Sequence, residues 1–323
     1  MSNTTTGNIA NGGETTGDTT TGNKTMSGDA FGRKTMSGET RGGKILLVDI
    51  GNSFTKWAWF DAPAPVASTD AQAAACESMT LRGHAQIAST ALTALAQVWR
   101  AEPCPDRIVA SSVGGESARE RLEDAVAEAW PTAPAVRSKV GELTPSEAPA
   151  AAQAPALEWL RPTPFAGGVH NGYATPEALG ADRWAALIGA RALFGAKPVL
   201  VVSCGTACTI DLLTASGHFT GGVILPGYQL MQRALHENTA ALPLRAGRVV
   251  VHPDCTTDAI ASGCLHAQAG AIERLWHLHR QAHEPLLCVL AGGAAKLIAP
   301  WLAVPNAIHE DLVLTGLARI ASS

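Results

Sequence analysis

Two short segments carry residues suited to holding phosphate oxygens: Asp49-Ile50-Gly51-Asn52-Ser53-Phe54-Thr55-Lys56 and, much later, Gly205-Thr206-Ala207-Cys208-Thr209-Ile210-Asp211. Phosphate binds where glycine lets the main chain approach closely and where backbone N–H groups and hydroxyls converge on oxygen. In the first segment Gly51 keeps the turn open, and Asn52, Ser53 and Thr55 supply donors. Lys56 offsets phosphate charge, and Asp49 is of the type that orients a magnesium-bound water. By itself this segment reads first as a tight hairpin, because turns use Asp, Gly and Asn routinely. The second segment shifts that reading. Gly205-Thr206, then Gly221-Gly222 and Pro226-Gly227, are small or turn-forming residues set among strongly apolar strands that do not need them. Two common nucleotide-binding loops drop out, since the chain has no Gly-x-x-x-x-Gly-Lys-Ser/Thr and no Gly-x-Gly-x-x-Gly after an expected strand.

Strands must flank both turns for them to work. Ile45-Leu46-Leu47-Val48 reads as a buried strand and Thr55 to Phe60 as its hairpin partner. Ser89 to Trp99, with Ser89 as N-cap, and Ala118 to Trp130 read as helices on either side of a short strand, Arg107 to Ala110. Ala181 to Phe194 has a clear helical pattern, and Pro198 to Val202 is a buried strand running into the second turn. Residues 141–164 gather Pro and Ala without periodic apolar positions, which predicts a loop or local insertion near a domain boundary. Residues 1–43 are rich in Gly, Thr, Ser and Asn and carry Lys-Thr-Met-Ser-Gly twice, at Lys24 and Lys34, the composition of a disordered tail. One strand-turn-strand unit per half makes a duplicated α/β fold the expectation.

Composition narrows the function. In 323 residues, 46% are hydrophobic and only 16% charged, enough to build substantial cores. A net charge of -4 supplies no broad cationic surface for nucleic acid or anionic lipid. The 7 cysteines, odd in number and irregularly spaced, suit a reducing cytoplasm better than a secreted disulfide framework. No run is long and apolar enough for a membrane span or a signal peptide core.

Four ordered motifs, Asp49-Ile50-Gly51-Asn52-Ser53, Gly180-Ala181-Asp182-Arg183, Gly205-Thr206-Ala207-x-Thr209 and Gly221-Gly222-Val223-Ile224-x-Pro226-Gly227, resemble those of type III pantothenate kinases. The resemblance runs from about Lys44 to the end, including Leu312-Val313-Leu314-x-Gly316-Leu317. It implies an α/β protein of two ribonuclease-H-like (actin-like) domains, residues 44–175 and 176–323, with an interdomain nucleotide cleft. It also implies magnesium-ATP as phosphoryl donor, pantothenate as acceptor in the first step of coenzyme A synthesis, and a homodimer. By this resemblance Asp49 to Lys56 hold the ATP phosphates, with Asp49 near the metal, and Thr206 contacts phosphate from the second half. Tyr173 and Gly180 to Arg183 contact pantothenate, Asp182 is the general base, Thr239 helps close the substrate site, and Gly292-Gly293 approaches the adenosine. Arg183 is the natural partner of pantothenate's carboxylate, although an interdomain ion pair would explain it as well. One departure stands out. The family places an acid before the Gly-Thr-Ala turn to help bind a monovalent cation, K+ or NH4+, whereas this chain has Ser203-Cys204, which puts that site in doubt.

Other residue sets carry less. His252, Cys255, Cys264 and His266 match no common zinc spacing and read as structural. Cys204 and Cys208 beside the second turn read as small hydrophobes. The tryptophans read as packing anchors, Trp184 being the one whose place could shape the acceptor site. The competing functions are another small-molecule kinase of the same superfamily and a non-catalytic regulator on a degenerate kinase fold.

Overall fold

Successive side chains of a strand point to opposite faces, and the first strand, β1 (Lys44–Ile50), is apolar at nearly every position, so both its faces must be covered. In the computed structural model, which describes residues 43–62, 80–131, 155–239, 242–243 and 245–322, β1 lies at the centre of a five-stranded sheet. Its partners are β2 (Phe54–Asp61), β3 (Leu81–Ala88), β4 (Arg107–Ser112) and β5 (Ala156–Trp159), in the order β3-β2-β1-β4-β5. The first three strands are an antiparallel meander; β4 and β5 run parallel to β1 and β4 respectively.

The second sheet repeats this plan. Strands β6 (Phe165–Ala166) and β7 (Val169–Asn171) form one edge. They are followed by β8 (Val199–Cys204), β9 (Ala207–Leu213), β10 (His218–Pro226), β11 (Leu287–Ala291) and β12 (Asn306–Ile308), in the order β12-β11-β8-β9-β10-β7-β6. Dropping the edge hairpin leaves β10-β9-β8-β11-β12, the order of the first sheet strand for strand, with the same antiparallel meander and parallel additions. The duplicated ribonuclease-H-like fold expected from the sequence is present. Sheet membership changes between Trp159 and Phe165, upstream of the expected boundary at 175/176.

The helices in chain order are α1 (Leu95–Trp99), α2 (Glu116–Ala129), α3 (Ala181–Phe194), α4 (Tyr228–Glu237), α5 (Thr256–Arg280), α6 (Ala295–Ile298) and α7 (Leu312–Ala321). Leu46, Val48 and Ile50 point to the face covered by α1 and α2, whereas Ile45 and Leu47 point to α7 and to Ala185 of α3. In the second sheet Val199 and Val201 meet α3, and Leu200 and Val202 meet α5. The pair α3 and α7 is therefore a shared layer between the two sheets. These helices cross at backbone contact: a Cβ on Gly316 would lie 1.9 Å from the Ala185 carbonyl oxygen, and one on Gly189 2.2 Å from that of Leu312.

Two expectations change. Ser89 is not an N-cap: residues Ser89–Ala94 form a 3-10 turn ahead of α1, with Ala88 before it, and the Ser89 hydroxyl is turned into the fold. The 141–164 segment is not all loop, since its last third contains β5, whose pairing with β4 does not depend on apolar periodicity; residues 141–154 lie outside the described residues. The tail, residues 1–43, also lies outside them apart from Gly43. Trp184 is fully buried against the second sheet, a packing role.

Candidate active site

Both polar turns fall at the ends of the central strands of their sheets, because a buried strand has to surrender its polar backbone groups to a turn where it leaves the core. In the first, the Gly51 N–H donates to the Phe54 carbonyl at 3.0 Å, and a Cβ on Gly51 would sit 2.9 Å from that oxygen. The turn is braced from below. Ser89 Oγ donates to the Gly51 carbonyl at 2.7 Å and lies 3.1 Å from Thr55 Oγ1, while the Ser89 N–H bonds the Ser53 carbonyl at 2.9 Å. Thr55, expected as a phosphate donor, is fully buried, with its hydroxyl beside that of Ser89 beneath the turn. Ile50 is buried too and contributes only backbone. Asn52, Ser53 and Phe54 are exposed at the lip.

In the second turn the Gly227 N–H donates to the Thr206 carbonyl at 2.8 Å, and any Cβ on Gly227 would come within 2.1 Å of the Gly205 carbonyl oxygen. Gly292, at φ +91°, packs its backbone on Cys204, bringing the Gly292-Gly293 loop alongside this turn. The two turns meet. Ser53 Oγ and Thr206 Oγ1 are 2.8 Å apart, although 153 residues separate them in the chain. Lys56 Nζ donates to the Glu310 carbonyl at 3.2 Å, and Lys296 of α6 pairs with the Glu310 carboxylate.

Carboxylates gather beside these turns. Asp49, opposite Lys56 in β2 and Ser111 in β4, accepts a 2.6 Å hydrogen bond from Ser111 Oγ. Burial pushes its carboxyl up to about 6; the Ser111 bond pulls it down, Asp182 pushes it further up, and Lys56 pulls it down. Asp182 sits in the first turn of α3, half-buried, with its Oδ1 accepting from the Arg183 N–H at 2.7 Å. Burial raises it as well, against the Arg183 backbone bond and charge and with Asp211 adding to the rise. Gly180 caps α3, where a Cβ would crowd Asp182 Oδ1 at 2.7 Å, and Ala181 is buried behind it.

Arg183 is committed within the protein. Its Nε donates to Asp211 Oδ2 at 3.0 Å, its NH2 to Asp211 Oδ1, and its NH1 to the Tyr173 hydroxyl at 2.8 Å. An ion pair is formed, but both members lie within residues 176–323 and not between domains as the alternative had it, and it joins Tyr173 to the Asp182 segment. The sequence reading placed Asp211 in the second polar segment without giving it a role, and did not include Ser111 or Ser89 in the site; a lone carboxylate between Ile210 and Leu212 in an apolar strand was the available signal for the first. Ser203 lies opposite Thr209 across β8 and β9 and offers hydroxyl oxygen without a fixed charge. Thr239, past the end of α4, is exposed and bonds back to the Leu235 carbonyl at 2.6 Å; no described hydrogen bond ties it to Tyr173 or Asp182.

A family model described as type III pantothenate kinase matches residues 45–278. The type III pantothenate kinase of Herminiimonas arsenicoxydans is 44% identical over 282 residues, covering 86% of this chain and 97% of the relative. That of Janthinobacterium sp. (strain Marseille) is 40% identical over the same shares of each chain. Among solved structures, a candidate 2-dehydro-3-deoxygalactonokinase from Sinorhizobium meliloti superposes with a TM-score of 0.50 at 14% identity, over 86% of this chain and 95% of that one, a likeness of fold.

Proposed function

This chain belongs to the type III pantothenate kinases, and from that premise we propose that it transfers the γ-phosphoryl group of ATP to the primary hydroxyl of pantothenate, with Asp182 as general base. The observation that carries the site assignment is the meeting of the two turns through Ser53 and Thr206, with the carboxylates of Asp49 and Asp182 beside them.

Phosphoryl transfer asks a protein mainly for positioning, charge neutralisation and removal of the hydroxyl proton. Backbone N–H groups of Asn52 and Ser53 and the hydroxyls of Ser53 and Thr206 bind phosphate oxygens from both halves, and Lys56 adds positive charge. Tyr173, Gly180, Ala181 and Arg183 form the acceptor side, and Thr239 its rim. Asp182 accepts the hydroxyl proton; burial makes it a stronger base than an exposed aspartate, bringing it nearer neutral pH where a general base works best.

Asp49 fits a hard divalent cation, since its carboxyl is raised by burial and by the neighbouring charge of Asp182, and a cation there relieves both. Asp49 would hold magnesium, which when bound neutralises charge on the transferring phosphate. Ser203 fits a monovalent cation poorly because it lacks the carboxylate. The exposed apolar side chains of Val223 and Ile224 in β10 and of Leu230 and Leu235 in α4 support a homodimer. Free Cys104, Cys204, Cys208, Cys255, Cys264 and Cys288 support a reducing, cytoplasmic location. Among the described residues no helix is long and apolar enough to cross a membrane. Residues 44–175 and 176–323 are read as two actin-like domains around the cleft, with sheet membership favouring a changeover nearer 160.

Asp182→Asn tests the assignment. The near-isosteric amide cannot accept the proton, so kcat should fall by about a hundred- to ten-thousand-fold, while calorimetric titration with a non-hydrolysable ATP analogue shows binding largely intact. Near-normal turnover would eliminate Asp182 as the base, and a loss confined to the pantothenate KM would reassign it to substrate binding.

A further inference from the structure

Asp211 sits in the middle of β9, 1% exposed, between the buried Ile210 and Leu212. A carboxylate there needs a partner, and it has one in Arg183, itself 5% exposed and bonded through Nε and NH2. The guanidinium is fixed from its other sides too. Tyr173 takes an NH1 hydrogen, and the Tyr173 and Phe219 rings lie 5.6 and 5.7 Å from Cζ. Space for the pair is built into the opposite strand: Gly222 faces Asp211 across β9 and β10, next to an irregularity in β10, and a Cβ on Gly222 would lie 1.9 Å from Asp211 Oδ1.

Stability alone does not account for this arrangement, because a buried ion pair is commonly no more stabilising than apolar side chains of similar volume. Its location suggests another purpose. Arg183 follows Asp182 in the first turn of α3 and its N–H bonds Asp182 Oδ1, so whatever fixes Arg183 fixes the direction of Asp182. We infer that Asp211 is a positioning residue for phosphoryl transfer: by holding Arg183 against β9 it aims the Asp182 carboxylate at the acceptor hydroxyl. The pairing also meters the arginine. Of its five N–H groups three are engaged, leaving one on each terminal nitrogen. This inference rests on Asp182 being the base.

A double-mutant cycle separates the two ideas. Asp211→Asn should lower kcat about ten- to a hundred-fold with the ATP KM nearly unchanged. In the Asp182→Asn background the same substitution should cost less than about threefold, because its effect runs through a carboxylate already gone. Equal losses in both backgrounds, or near-normal kcat in Asp211→Asn, would overturn the positioning role while leaving Asp182 as base. Near-normal turnover of Asp182→Asn would overturn both. If Asp211→Asn does not fold by circular dichroism, Asp211→Glu takes its place in the cycle; it keeps the charge and alters only the geometry, and the same non-additivity is expected.

Discussion

Asp49 is held half-buried by its place in β1, and with its carboxyl pushed up to about 6 it binds its proton more tightly in the folded protein than in the unfolded chain. The group's contribution to stability is therefore fully present below about pH 4 and is lost as pH rises from there through 6. Asp49→Asn keeps an oxygen for Ser111 but carries no charge. It should stabilise the unliganded protein by about 1–2 kcal/mol near pH 7.5, a few degrees in Tm, with the gain vanishing near pH 4. Thermal melts across that range check this; a mutant less stable at every pH would show that the charge is paid back within the fold. Turnover should nevertheless collapse, as expected of a site whose strain serves function. At Ser203 the missing carboxylate predicts weak stimulation by potassium in the native protein and stronger stimulation in Ser203→Asp. Potassium titrations of both proteins decide it, and steep saturable dependence in the native protein would refute the reading.

At the scale of elements, the crossing of α3 and α7 sets where Asp182 can be. Gly189 and Gly316 let the two backbones touch, and the layer they form covers one face of each sheet. Gly316→Ala puts a methyl where the Ala185 carbonyl lies, so the helices must separate. Urea unfolding should show a loss of about 1–3 kcal/mol with the m-value unchanged. A loss near zero would mean that the pair slides apart freely. The 3-10 turn at Ser89–Ala94 illustrates the same dependence on neighbours: Ser89 reads as an N-cap by residue type, yet its hydroxyl is drawn to Gly51 and Thr55 because β3 ends beside the first turn. A local preference worth about 1 kcal/mol gives way to such a tertiary hydrogen bond.

For the whole molecule, the repeated strand order makes the cleft a consequence of duplication. Each half brings a strand-turn-strand to the same place, and the shared helices bring the halves together. Removing residues 1–43 should leave Tm and turnover nearly unchanged, since that segment is nearly free of large apolar side chains with which to anchor. Differential scanning calorimetry and a steady-state assay of the shortened protein test this, and a large fall in either would give the tail a structural role.

Local pattern sufficed for the hairpin of β1 and β2, for α3 at its full length, and for the order of the glycine and hydroxyl motifs, because strand alternation, helical period and turn chemistry are properties of neighbouring residues. It did not suffice for β5, whose four residues have no strong alternation and are held by pairing with β4. Nor could it join Ser53 to Thr206 across 153 residues, or give Arg183 to Asp211. Those contacts depend on how two sheets close on one helical layer, and burial then decides which polar groups must find each other: a carboxylate that reads as one more residue of a strand becomes, once water is excluded, the fixed partner of the arginine beside the base.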